Sequence, residues 1–296
     1  MLFLRQRRLL TLLDVLGGSA ANLDFQKLLF LYCQEPDSGN PYEFVPYKSG
    51  AFSFTSAADR RKLIERGLLV DDPEIWQLTA AGRKAIGRKP DVQMMSFVRR
   101  FRGTRGDALV AASYRRFPYY ATRSEIAARV LRDDDGALRR IEDARPNSKT
   151  TAVSTIGYEG RTLESYLNAL LRSGVTLLCD VRRNPISRKY GFSKSTLAAG
   201  CEAVGIRYEH LRELGIASEQ RRSLDTQADY DALFAEYERE SLPLQTESLA
   251  KIAAWVDAGE RVALTCYELH PHQCHRHCVA DALEGKFGKT FSANHL

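Results

Sequence analysis

Histidine is missing from the first 209 residues, the first being His210, and six cysteines are scattered unevenly over 296 positions. So thin a cysteine content excludes the dense, regular disulfide framework of a small secreted scaffold and predicts a cytoplasmic chain with reduced thiols. The N-terminal MLFLRQRRLLTLLDVLGG has no unbroken apolar run, because Arg5, Arg7, Arg8 and Asp14 interrupt it, and no small-residue cleavage signature follows. It reads as an amphipathic helix, not as a signal peptide or a membrane span. Paired zinc knuckles are absent too, as is any complete catalytic motif.

What is present divides into two halves. A chain of 296 residues with 44% hydrophobic content has the size and core of one large domain or two ordinary ones. The net charge of +6 is placed asymmetrically: residues 1–150 hold 26 Lys+Arg against 18 Asp+Glu, and residues 151–296 hold 17 against 19. The basic excess belongs to the first half and all six histidines to the second. This predicts a first half that faces nucleic acid and a second half that carries the chemistry.

In the first half, Leu9, Leu12, Leu13 and Leu16 form a helical stripe ended by Gly17–Gly18, and Phe25, Leu28, Leu29 and Tyr32 mark a second helix. NPYEFVPYKSGAFSF reads as extended or loop structure. A third helix sets Arg60, Arg61, Lys62 and Arg66 beside Leu63, Ile64 and Leu68, and PEIWQLTAAGRKAI reads as a strand entering a helix capped by Thr79. Three helices, a strand and a turn in that order describe a winged helix-turn-helix over residues 1–90, with the basic residues Arg60, Arg61, Lys62 and Arg66 facing DNA and a wing near DDPEIWQLT. The pattern QKLLFLYCQ, PYKSGAFS and LIERGLLV resembles winged-helix domains of prokaryotic phage-associated and antitoxin-like proteins. Residues 91–150 read as a helical connector, whose basic pairs and aromatics either stack on bases or pack a core. The domain seam is expected near Asn147.

From residue 152 strands alternate with helices, which predicts a mostly parallel, Rossmann-like sheet covered by helices: an α/β domain over 151–296. Ligands of such sheets bind outside the carboxyl ends of the strands. That rule selects Gly157-Tyr158-Glu159, Asp180-Val181-Arg182-Arg183 and Cys266-Tyr267-Glu268. The stretches TIGYEGRTLESYLNALLRSGVTLLCDVRRNPISRKYGFSKSTL, GIRYEHLRELG, RVALTCYE and CHRHCVADAL resemble the domain of unknown function 488 family over about residues 152–296. The resemblance implies a fold and a pocket, without a reaction, and carries over onto Gly157, Asp180, Arg182, Pro185, Ser187, Cys266, Glu268, Cys274, His275 and Arg276.

TCYELHPHQCHRHC, residues 265–278, gathers four of the six histidines and three of the six cysteines. Cys266, Cys274, His275 and Cys278 have zinc-ligating atoms, but the spacing is not that of knuckles and Cys278 reads as a small buried hydrophobe, so no metal is predicted. Cys274-His275-Arg276 opening a helix favours an anion, with Arg182 and Arg188 contributing; the alternative has Arg276 fastening strand ends. A cysteine beside His and Arg also suits a nucleophile, with Glu268 or Asp180 as general base. In a nucleoside-processing variant, Tyr158 stacks on the base. The reading assigns catalysis to Asp180, Glu268 and Cys274, and phosphate binding to Gly157, Tyr158, Arg182, Ser187, Cys266, His275 and Arg276, with the cofactor left open. The expected protein associates with DNA through its first domain and, through its second, binds a nucleotide or nucleic-acid phosphate, with or without acting on it. A ligand-sensing regulator, or an interaction module of a defence or toxin–antitoxin system, is the alternative.

Overall fold

The computed structural model describes residues 2–87, 91–146, 152–217, 220–221 and 224–296, apart from the Asp37 side chain. Asn147, where the sequence suggests the seam, lies outside them. The chain forms two compact units, Met1–Arg145 and Pro146–Leu296. Among the described residues, no helix is long and apolar enough to cross a membrane.

The first unit is mostly helical. Its elements are α1 (Leu4–Val15), β1 (Ser19–Ala21), α2 (Asn22–Cys33), β2 (Val45–Tyr47), β3 (Gly50–Phe52), α3 (Phe54–Glu65), β4 (Ile75–Gln77), α4 (Ala80–Ile86), α5 (Val92–Arg100), α6 (Gly106–Arg116), α7 (Ala127–Val130) and α8 (Asp135–Asp143). Leu9, Leu10, Leu12 and Leu13 of α1 and the aromatics of α2 bury in one core together with Trp76 and Phe97. Thr79 caps α4, its side chain accepting from the Gly82 amide at 3.0 Å. β1 pairs antiparallel with β4, and β4 extends into a bridge between Leu69 and Leu78, so residues 69–78 form a short hairpin beside β1. A second antiparallel hairpin, β2–β3, stands between α2 and α3. The aromatics after α6 pack inward: Phe117 and Tyr120 meet Phe30 edge-on at 5.2 and 4.8 Å. That contact accounts for them as core.

The second unit is α/β. It contains β5 (Val153–Gly157), α9 (Leu163–Arg172), β6 (Leu177–Asp180), α10 (Lys194–Ala203), β7 (Arg207–His210), α11 (Gln227–Glu236), α12 (Thr246–Asp257), β8 (Val262–Cys266), α13 (Arg276–Phe287) and β9 (Ala293–His295). The five strands are all parallel in the order β7-β6-β8-β5-β9. Every residue of β5, β6 and β8 is buried, the continuous burial of a sheet covered on both faces. Thr162 caps α9 by accepting from the Ser165 amide. Because β8 lies between β6 and β5, the register sets Asp180 beside Thr265 and Gly157 beside Cys266. Three carboxyl strand ends therefore meet in the middle of the sheet.

Candidate functional site

A cleft of about 470 Å³ opens over these strand ends. Its walls come from Tyr158 after β5, the segment 182–189 after β6, Ile216 and Arg221 after β7, and Cys266, Tyr267 and His275 around β8. Arg183, Arg188, Lys189 and Arg221 give it four cationic side chains besides the buried Arg182.

Much of the polar character at the strand ends is consumed within the fold. Asp180 is fully buried and accepts from Arg182 Nε at 2.8 Å, Arg182 Nη2 at 2.5 Å, the Arg182 amide and Tyr208 Oη at 2.6 Å. Arg182 Nη1 donates to Tyr158 Oη at 3.0 Å and to the Phe192 carbonyl at 2.8 Å. Burial opposes the charge on Arg182, but the paired Asp180 carboxylate outweighs it and holds the guanidinium more basic than usual. Tyr158 is itself stacked on Phe192, with ring centroids 4.4 Å apart and planes 9° from parallel. Arg276 is 1% exposed and donates to the carbonyls of Glu268 and Leu269, the second at 2.9 Å. It fastens the segment after β8, as the alternative sequence reading has it. Ser187 binds within its own turn, its Oγ accepting from the Lys189 amide at 3.1 Å. Gly157 is required by space: a Cβ there would lie 1.8 Å from the Glu268 carbonyl oxygen.

The reactive groups collect at the end of β8. Cys266 Sγ lies 3.4 Å from Glu268 Oε2 and 3.7 Å from His275 Nδ1. Arg221 Nη2 donates to His275 Nδ1 at 3.0 Å, and Arg221 Nη1 to Glu268 Oε1 at 3.2 Å. Since arginine has no acceptor, His275 Nδ1 presents its lone pair and Nε2 carries the proton, which it donates to the Val181 carbonyl at 3.0 Å. The hydrogen bond from the Cys274 thiol, helped by the nearby Arg221 guanidinium, holds the Cys266 thiol well below its ordinary pKa despite burial. Cys274 moves the other way, raised by burial and by Cys266. Burial, then the Cys266 charge, raises Glu268. Cys266 is thus the more acidic thiol of the pair, whose thiolate is able to attack an electrophile or to bind a soft metal.

Of the residues expected to be catalytic, Asp180 and Cys274 are wholly buried, and Glu268 touches the cleft-lining Cys266 and Arg221. Among those expected to bind phosphate, Tyr158, Arg182, Ser187, Cys266 and His275 line the cleft. Arg221 was invisible to sequence reasoning, because it reaches the site from a loop 54 residues before His275. Among the described residues, two groups of donor atoms, each within 4.8 Å of one another, suit a metal ion: Cys266, Cys274 and His275, and separately Glu238, His277 and Cys278.

No curated protein and no solved structure matches the chain. A family model does match, from the cap of α9 into α13, and it takes in β6, β8 and the whole thiol cluster: residues 162–283 fit the family described as Domain of unknown function DUF488.

Proposed function

We propose that the second unit binds a nucleotide or a nucleic-acid phosphate in the cleft above β5, β8 and β6, and that the first unit is a winged-helix module that holds DNA. The observation that carries the first part is the convergence of Arg183, Arg188, Lys189 and Arg221 on one cleft of ligand size. Arg221 Nε is buried with no hydrogen-bond partner among the described residues. A phosphate oxygen arriving from the cleft would supply the missing acceptor. Tyr267, 45% exposed on the lining, offers a ring face to a base.

Calorimetric titration with inorganic phosphate and a set of mononucleotides tests this. Arg183→Ala and Arg188→Ala are each expected to weaken binding about tenfold, as loss of a charge-assisted contact of about 1.5 kcal/mol predicts. Absence of binding by the unaltered chain would sink the reading. Phosphorus NMR of the same mixtures separates an enzyme from a ligand-sensing regulator. The internal use of Asp180, Arg182 and Arg276 favours the regulator, for which binding proceeds without turnover.

For the first unit, support comes from the hairpin 69–78 beside β1, in the place of a wing, and from exposed Arg61, Lys62 and Arg66 at the end of α3. Arg60 is engaged within the fold, where its guanidinium donates to the carbonyls of Asp72 and Ile75 and lies 4.8 Å over the Trp76 ring. On this reading Arg61→Ala and Lys62→Ala each lower the slope of log affinity for DNA against log salt by about 1, whereas Arg60→Ala loosens the hairpin. Unaltered slopes in both surface variants would remove α3 from the contact.

A further inference from the structure

We propose that Cys266, Cys274 and His275 hold one zinc ion, with Glu268 the carboxylate beside Cys266. Zinc takes thiolate sulfur at about 2.3 Å and imidazole nitrogen or carboxylate oxygen at about 2.0–2.2 Å in a tetrahedron, whose edges are then about 3.6 Å for S···N and about 3.5 Å for S···O. The corresponding separations here are 3.7 Å, Cys266 Sγ to His275 Nδ1, and 3.4 Å, Cys266 Sγ to Glu268 Oε2. Cys274 Sγ completes the group, within 4.8 Å of both Cys266 Sγ and the His275 ring. Cys266, Cys274 and His275 are thus gathered within reach of one ion before any ion arrives.

The imidazole is also in the required tautomer. A zinc-ligating histidine commonly donates its other ring N–H to a backbone carbonyl or a carboxylate, which fixes the ring and its lone pair. His275 does this through Nε2 to Val181, with Nδ1 turned toward the thiols. Arg221 is the cation now donating to that lone pair and to Glu268. Zinc binding displaces it from His275 and frees its Nη2 for an anion, while both thiols give up their protons to solvent. Three protein donors leave the ion a fourth position for water or a ligand, and tie the end of β8 and the start of α13 to Val181 beyond β6. The knuckle spacing that the sequence lacks is unnecessary, because a strand end supplies one donor and a helix start the other two.

This inference stands on the donor set and not on phosphate binding, and it is tested with no anion present. Metal-stripped full-length protein is titrated with zinc ions and, separately, cobalt ions, then alkylated and mapped by mass spectrometry. One equivalent bound, a tetrahedral cobalt spectrum with thiolate charge-transfer bands, and protection of Cys266 and Cys274 but not Cys278 are expected. Absence of binding, or protection of Cys278 with Cys266 left reactive, overturns the proposal, the second outcome moving the ion to Glu238, His277 and Cys278. Cys274→Ser is expected to weaken zinc binding by more than about 100-fold, beyond the 10–100-fold of an outer partner, and Arg221→Ala to leave it intact or tighter. Loss of zinc in Arg221→Ala would refute the displacement. Because the alkylation map is read on the unaltered chain, a misfolded variant does not obscure the result.

Discussion

Two buried charges of opposite fate define the residue scale. Lys27 of α2 is 1% exposed and donates to the Ala51 carbonyl at 3.1 Å, and burial brings its pKa down from 10.5 to about 7. Between those values the unfolded chain holds a proton that the folded chain has lost. Stability of the first unit therefore rises with pH from about 7 toward 10.5, by up to roughly 1.4 kcal/mol per unit, and the charging penalty is complete below about 7. Urea midpoints at roughly pH 7.5 and 9.5 should show this rise in the unaltered chain and a shallower one in Lys27→Met. Asp180, by contrast, is paired with Arg182 at 2.5 Å. Removing it strands a guanidinium that is only 6% exposed, so Asp180→Ala should cost about 3–5 kcal/mol in the second unit. A urea midpoint unchanged by that substitution would return Asp180 to the cleft as a free carboxylate. Sequence position alone does not separate these roles, because a polar residue at a strand end faces either the crevice or a neighbour, and the neighbours Tyr208 and Phe192 come from elsewhere in the chain.

At the scale of elements, the β5–β8 contact governs the site. Gly157 has no unusual backbone angle; it is small because the Glu268 carbonyl and Leu269 Cα pass over it. Gly157→Ala should push that segment away, costing about 1–3 kcal/mol and weakening zinc and phosphate binding together. Retained affinity for both would show that the loop accommodates the methyl group without moving the donors. The alternation of strands and helices in the second unit, and the first three long helices of the first, were legible from periodicity, as were the Thr79 and Thr162 caps, since each depends on residues within one turn; β1 was not. The hairpin β2–β3 was legible only as extended or loop structure. Arg221 left no trace: nothing local distinguishes it from any surface arginine, and only the fold brings it to Cys266. Arg276 looked like an anion clamp because its helix-start position was visible, whereas the carbonyls it grips were not.

At the scale of the molecule, each unit has a core of its own and one of the two tryptophans, Trp76 in the first and Trp255 in the second. Trp76→Phe and Trp255→Phe therefore make each unit's unfolding visible separately by fluorescence. Zinc is expected to raise the midpoint seen by Trp255 and to leave that seen by Trp76 unchanged, because an ion stabilises only what it binds when folded. A shift of both midpoints would mean that the units unfold together. The distribution of charge and histidine along the chain had already separated a basic half from one rich in metal-ligating side chains.

The place of β8 in the sheet has a consequence for how the protein is made. β5 and β6 are not neighbours; each pairs with β8, which is synthesised more than 80 residues after β6 ends. A nascent chain can complete its first unit while the ribosome is still working, in keeping with the tendency of domains to fold in order of synthesis. The centre of the second sheet, however, must wait for Val262–Cys266 to emerge. Until then β5 has no partner made and β6 can pair only with β7, so a stalled or shortened message yields a finished first unit attached to an open, adhesive second one. Cys266 arrives with that same central strand and Cys274 and His275 follow within nine residues, so the joining of the sheet's centre and the first appearance of the site nearly coincide.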